Sequence, residues 1–324
     1  MIVSLLRINN FKKTTLYQLI REVRPRQWLK NGFVFIPLVF SKKFFELSSL
    51  IPVLESFLAF SFVASFVYII NDLKDLDKDK LHPIKKNRPL ASGSLSVAFG
   101  LKSAIVFLSL ALFISALVEY YLFYLIIFYV LLQLAYTFIL KKYIIIDALT
   151  VSFGFIVRLF AGGVAAEVSI SSWLILFVIG LSLLLAFGKR RGERTVLSEK
   201  NIDLSTRETL KSYPDYLLNS MISMSAAYTI ITYSIFTFQT SPNNKTPLLI
   251  KNLLPSTLPS PKWMMFSIPV MIYIVARYLY VIYESKYAES PERALLSDKP
   301  LLISIGIWGL MIFVFYYILG TVNL

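Results

Sequence analysis

The amino-acid sequence predicts an all-α integral membrane protein, a bundle of about nine transmembrane helices. Three observations predict it. Hydrophobic residues make up 56% of the 324-residue chain and aromatics 15%, and mean hydropathy is +0.67, well beyond an ordinary soluble domain. Several windows hold about 20 apolar residues with at most one charge, enough to cross ~30 Å of hydrocarbon as a helix. The Lys and Arg residues gather in a few loops between those windows, as they do on the cytoplasmic side of multi-pass proteins.

The elements follow in chain order. Residues 1–27 read as a cytoplasmic arm, because the apolar run in MIVSLLRINNFKK is short for a signal-peptide core and no small-residue cleavage site follows it. Residues 28–324 read as one transmembrane domain, which the chemistry below makes catalytic. Its first span, near 28–47, is interrupted by Pro37, which could kink it, and ends at Lys42 and Lys43, which could snorkel to headgroups. A second, near 50–70, runs straight into NDLKDLDKDKLHPIKKNRPLASG. Spans near 96–117 and 120–140 follow, the latter closing on YTFILKK. A fifth, near 143–165, carries Asp147 and Arg158, and its end is lined with Ala161, Gly162, Gly163, Ala165 and Ala166, which allow close helix approach. The sixth, near 172–189, ends in FGKRRGERTVLSEK. Spans near 215–238, 263–283 and 301–320 complete the set, and the Pro-, Ser- and Asn-rich segment 239–262 reads as an irregular cap.

With the N-terminus inside, the predicted cytoplasmic loops hold 25 Lys/Arg residues and the opposite side five, a strong positive-inside bias. The net charge of +14 is then explained by basic loops at a membrane surface, and nucleic acid is not the expected partner. The absence of cysteine excludes disulfides and thiolate metal sites, and a single histidine excludes a multi-His site.

In the polar stretch after the second span, Asp72, Asp75 and Asp79 are spaced i, i+3, i+7. On a helix those offsets fall within about 60° of one another, so three carboxylates share a face. Held that close they need a cation, and a hard divalent ion, Mg²⁺ above all, is bound by one or two carboxylates plus phosphate oxygens. Asn71 could orient a ligand or coordinate it, whereas Asp77 points elsewhere and reads as a solvated charge. DLDKDK imitates the start of an EF-hand, but Lys80 stands where glycine is needed and Lys86 where the bidentate glutamate is needed. Lys85, Lys86 and Arg88 follow within a few residues, so metal ligands and phosphate-binding cations occupy one loop. That combination suits a diphosphate. His82, before Pro83, reads more readily as a turn residue than as a proton donor.

Other polar residues fall on the same predicted side. Asp147 and Arg158 are eleven residues apart, close to three helical turns, and so face the same way. Each costs roughly 2.5–3.5 kcal/mol at bilayer depth, and so requires an ion-pair partner or a polar cavity above the metal site. Tyr136 and Lys141 are placed to reach the cytoplasmic rim. Lys189, Arg190 and Arg191, with Arg194, form a dense cationic group beside a single acid, Glu193. Anchoring accounts for two such cations; four ask for a further anionic group. In RPRQWLKN, Arg24, Arg26 and Lys30 surround Trp28, an interfacial aromatic, and the cations could reach substrate or lipid headgroups.

Taken together these residues resemble a known family. NDLKDLDKDKLHPIKKNRPLASG resembles the first aspartate-rich signature, NDxxDxxxD, of the UbiA-type membrane prenyltransferases. RPRQWLKN, YTFILKKYIIIDALTVSFGFIVRLFAGG, GKRRGE and ESPERALLSDKP further resemble one branch of it, the decaprenyl-phosphate phosphoribosyltransferases. The resemblance spans roughly residues 20–315. It implies a nine-span bundle around a central cavity, open to the cytoplasm at the polar loops and laterally to lipid. It implies 5-phosphoribosyl 1-diphosphate as donor and a long polyprenyl phosphate as acceptor, in the cytoplasmic membrane, with Asn71, Asp72, Asp75 and Asp79 holding Mg²⁺ (Mn²⁺ could substitute) and the diphosphate. Members that prenylate aromatic rings usually carry a second DxxxD motif after the sixth span. Here KRRGE stands in that place, which favours a basic pocket for a ribose 5-phosphate over a second metal clamp.

Two rival functions make different demands. A prenyltransferase would use the same aspartates with the lipid diphosphate as donor. A secondary transporter would depend on Asp147 and Arg158 instead, and the sequence has no internal repeat of the kind that announces one. No pattern in the chain specifies an oligomeric state.

Overall fold

The computed structural model describes residues 14–81, 85–199, 212–241, 262–284 and 296–318, with side chains 196–199 excepted. Among them there is no strand, and eight helices are long and apolar enough to cross a membrane. An in-plane-sized helix, α1 (Thr15–Val23), precedes a 3₁₀ segment, Pro25–Phe35, and a short α2 (Ile36–Phe40). Then come α3 (Leu47–Lys74), α4 (Leu76–Leu81), α5 (Val97–Val118), α6 (Tyr120–Phe138), α7 (Ile146–Ala165), α8 (Ser172–Glu199), α9 (Asp215–Thr240), α10 (Ile268–Glu284) and α11 (Lys299–Phe313).

Seven of the nine predicted spans meet α3 and α5–α10, six of them within about five residues at each end, while α8 runs on past the predicted end at 189 to Glu199; the ninth meets α11 with the π-helical turn Val314–Ile318 that continues it. The first differs. Residues 28–47 form no single α-helix but the 3₁₀ segment and α2, ended by a turn in which Lys42 has φ 63°. Pro37 does not kink a long helix; it lies in the first turn of α2, where its missing N–H costs nothing. His82, the segment 239–262 beyond Ser241 except its last residue Lys262, and most of ESPERALLSDKP before Leu296 lie outside the described residues.

The chain groups into two compact units. The first comprises Met1–Leu38, Lys43–Lys141 and Val157–Val168. Its axis is α3, mostly buried, against which α5, α6, α1 and the 3₁₀ segment pack. Small residues make that close: Ser56, Ala59, Ser61, Ala64 and Ser65 are buried along α3, and Ser61 and Ser65 return their hydroxyls to the carbonyls of Phe57 and Ser61, whereas the Ser56 hydroxyl is buried without a partner. α5 leaves most of its apolar surface exposed, as a helix facing hydrocarbon does. Gly162 on α7 lies so close to the 3₁₀ segment that a Cβ there would stand 1.9 Å from the Val34 carbonyl oxygen.

The second unit comprises Val39–Lys42, Lys142–Ile156 and Ser169–Leu324. α8 and α9 form its main pair, with α10 against both and α11 against α10. The buried Tyr233 hydroxyl pins three elements, sharing a hydrogen with Ser267 Oγ at 2.6 Å and accepting from Trp308 Nε1 at 2.7 Å. Tyr316 and Tyr317 donate to the carbonyls of Phe40 and Val39 at 2.8 and 2.6 Å.

Candidate active site

α3 runs as one helix from its apolar body into the acidic stretch, and it breaks at Asp75, which caps it with φ −91° and ψ 11°. Helical hydrogen bonds nevertheless continue across the break, from the Asp75 amide to the Asn71 carbonyl and from the Asp79 amide to the Asp75 carbonyl. Asp72 and Asp79 therefore stay two turns apart on one face, and both are buried, at 2% and 3% exposed. Asp75 diverges from them. Arg88 Nη1 donates to Asp72 Oδ1 at 3.0 Å and to Asp79 Oδ2 at 2.5 Å, so a single cationic nitrogen spans both carboxylates. Arg24 donates to the other oxygen of Asp72, and Lys85 Nζ stands 3.8 Å from Asp79 Oδ1. Asp75 instead binds Lys141 Nζ at 2.9 and 3.1 Å, and the same ammonium reaches Asn71 Oδ1 at 3.4 Å. The three-carboxylate face expected from the spacing thus divides into a bridged pair and a separately paired third. Asp77 is 95% exposed and meets only the surface Lys80 among its described partners.

α1 closes one side of this cluster: Gln18 and Glu22 are buried together with Val23, while Leu16 and Ile20 are exposed. Arg21 ties α1 to the turn Lys85–Asn87 by donating to the Asn87 carbonyl at 3.0 Å. Arg24 leaves the helix in the left-handed region, φ 53°, immediately before Pro25, and lies over the Tyr68 ring at 5.1 Å. Burial by itself would lower the Arg24 guanidinium, but the charge and hydrogen bond of Asp72 more than offset it and hold the group above its ordinary value. Glu22 is 1% exposed, and neither of its oxygens has a hydrogen-bond donor. Burial first, then the adjacent Asp72 charge, push its carboxyl up to about 8 against the pull of Arg24.

Among the described residues no three carboxylates converge to enclose an ion. The donor set still fits a hard divalent cation: oxygens of Asp72 and Asp79 already share one cationic centre, Arg88 Nη1, and carboxylate oxygens are the ligands Mg²⁺ and Mn²⁺ take.

The remaining predicted site residues fall in several places. Lys86 is exposed. Lys30 bonds Gln27 Oε1 at 2.5 Å, and Tyr136 is half-buried near the end of α6. Arg158 is buried in the first unit, donating to Asn31 Oδ1 at 2.7 Å and Tyr129 Oη at 2.6 Å, with the Tyr129 ring 4.7 Å away. Asp147 belongs to the second unit, where it accepts from Arg190 Nε at 2.5 Å and from the Tyr213 hydroxyl at 2.5 Å. Asp147 and Arg158, aligned on one helix, therefore go to different partners, because eleven residues also separate them by about 16 Å along the axis.

In the second unit Arg190 is buried and engaged on two sides, by Asp147 and by Glu193 at 3.1 Å. The tyrosine hydroxyl of Tyr213 also accepts from the Ile145 amide at 2.6 Å, and Ile145 is a β-branched residue at φ 69°. Burial, then the bond to Asp147, raise the Tyr213 phenol well above its ordinary value. Arg191 pairs with Asp215 at 2.9 Å and lies over Tyr283, Arg194 pairs with the same carboxylate at 3.0 Å, and Lys189 stands 4.0 Å from Glu193. Sequence reasoning did not find Glu22, Tyr213 or Asp215. The detectable signal for Glu22 is its position four residues after Gln18, on the face of α1 opposite Leu16 and Ile20.

Comparison with known proteins adds four findings. Residues 41–190 match the family model described as the UbiA prenyltransferase family. The chain is 33% identical over 305 residues to a decaprenyl-phosphate phosphoribosyltransferase of Corynebacterium glutamicum, covering 93% of this chain and 87% of that one. It is 30% identical to the protein of that name from Mycolicibacterium smegmatis, covering 90% and 89%. A solved UbiA homolog from Archaeoglobus fulgidus, bound to GPP and Mg²⁺, superposes with a TM-score of 0.64 at 18% identity, covering 93% of this chain and all of that one, a likeness of fold.

Proposed function

Since the chain belongs to the UbiA prenyltransferase family and is a membrane transferase, we propose that it transfers a 5-phosphoribosyl group from 5-phosphoribosyl 1-diphosphate to a polyprenyl phosphate, releasing diphosphate, with Mg²⁺. The observation that carries this is the cluster itself. Carboxylates suited to a divalent cation, Asp72 and Asp79, and cations suited to phosphate, Arg24, Lys85 and Arg88, are packed against one another. The names of the relatives support a polyprenyl phosphate as acceptor and a phosphoribosyl group as the moiety transferred.

When bound, Mg²⁺ would neutralise the diphosphate and stabilise the charge it gains on leaving. Asp72 and Asp79 would hold it, with Asp75 and Asn71 beside them. Arg24, Arg88 and Lys85 exchange their carboxylate partners for diphosphate oxygens, so each cation keeps a counter-charge throughout. The acceptor's phosphate oxygen forms a bond to ribose C1 as the bond from C1 to the diphosphate oxygen breaks, inverting the anomeric centre. That nucleophile is anionic at neutral pH, so no general base is required and catalysis rests on positioning and electrostatics. Of the GKRRGE cations that the sequence offers for a further anionic group, Arg190 is committed to Asp147 and Glu193, Lys189 stands beside Glu193 and Arg191 beside Asp215. The distribution of Lys and Arg supports a cluster on the cytoplasmic face with the N-terminus inside.

The test uses purified protein with ribose-labelled phosphoribosyl diphosphate and polyprenyl phosphate. Label passing into the organic phase, and stopped by chelator, is the expected result. If that label never leaves the aqueous phase while an isoprenyl diphosphate labels an aromatic acceptor, the reading is wrong and the chain is a prenyltransferase of the commoner kind.

A further inference from the structure

Glu22 is the one acidic side chain in the cluster that the mechanism above leaves without a task. Its burial is complete and neither oxygen receives a donor, an arrangement that costs free energy and calls for a missing partner such as an ion or its water. Its neighbour is Asp72, the carboxylate bridged to Asp79 through Arg88. Asp75, by contrast, is turned to Lys141 and Asn71. The acidic groups that adjoin the bridged centre are therefore Glu22, Asp72 and Asp79.

We propose, resting on the metal-dependent reading above, that Glu22 is a positioning residue for the divalent cation held by Asp72 and Asp79, accepting hydrogen bonds from the water that such an ion retains. Mg²⁺ keeps several waters when bound by one or two carboxylates, and a buried acceptor without a donor is what those waters would meet.

The test measures Mn²⁺ binding to the full-length protein in detergent by electron paramagnetic resonance, without substrates. Wild type, Glu22→Gln, Glu22→Asp and Asp72→Asn are compared, each with its melting temperature. Expected is a weakening of about 10- to 100-fold for Glu22→Gln, the range for losing an outer-shell group, with smaller loss for Glu22→Asp and near-complete loss for Asp72→Asn. The melting temperature of Glu22→Gln should stay equal to wild type or rise, since a buried acid has been replaced by a neutral isostere. If Asp72→Asn abolishes binding and Glu22→Gln leaves it unchanged, Glu22 is a neutral structural partner of Asp72 and the proposal fails while the metal reading stands. If the wild type and Asp72→Asn bind Mn²⁺ equally, both are overturned.

Discussion

Gly162 shows how closely individual residues constrain the fold. A methyl group there would overlap the Val34 carbonyl, a backbone atom that no rotamer change can move. Gly162→Ala is expected to cost about 3 kcal/mol or more, at the upper end of overpacking effects. Gly306→Ala, with open space around it, should be neutral or slightly stabilising, and thermal unfolding in detergent compares the two. The catalytic counterpart is Asp72→Asn. It removes charge where Arg24 and Arg88 both bind, so transfer should fall by two orders of magnitude or more, about 3 kcal/mol of transition-state stabilisation. Activity surviving Asp72→Asn but lost with Asp147→Asn would instead favour a site in the second unit. Asp72 and Asp79 were legible in the sequence because helical periodicity alone aligns i and i+7. Glu22 was not, since its importance depends on what α1 packs against.

Two elements owe their geometry to single polar contacts. The turn before α7 holds Ile145 at φ 69° through the Tyr213 hydroxyl, which also serves Asp147. Tyr213→Phe strands both partners and is expected to destabilise by about 1–3 kcal/mol, measured by the melting temperature. A change below 0.5 kcal/mol would mean the turn is held otherwise. α11 begins at Asp298, which caps it by accepting from the Leu301 amide at 2.9 Å and pairs with Arg277 at 2.8 Å. The Arg277 hydrogen bond, more than the cap, holds the Asp298 carboxyl below its ordinary range. A lowered folded-state value means stability that is present above the unfolded aspartate range and lost as pH falls through the lowered one. Asp298→Asn should remove that acid-side loss, which melting scans between pH 3 and 6, at about unit steps, would reveal. The sequence marked ESPERALLSDKP only by resemblance; Asp298's work is structural.

Across the whole chain, the absence of cysteine allows direct mapping of sidedness. Asp77→Cys, at a position 95% exposed, should react with an impermeant maleimide from the cytoplasmic side, and Glu46→Cys from the opposite side. Thr15→Cys should label with Asp77→Cys if the 3₁₀ segment and α2 together cross. At about 2.0 Å per residue, eleven 3₁₀ residues continued by α2 are long enough for ~30 Å of hydrocarbon. Labelling of Thr15→Cys and Glu46→Cys from one side would leave eight crossings.

The sequence alone determined the membrane class, eight of the span positions, and the carboxylates Asp72 and Asp79 as neighbours, because hydrophobic length and helical period are local properties. Tertiary structure decided which charges meet. Arg24 and Arg88 close on Asp72, Lys141 on Asp75, and Asp147 turns from Arg158 to Arg190. Those pairings join residues 16 to 66 positions apart, and in a low-dielectric surrounding a buried charge takes whichever counter-charge the packing delivers. The same packing buried Glu22 without a donor, a fact that no spacing in the chain encodes.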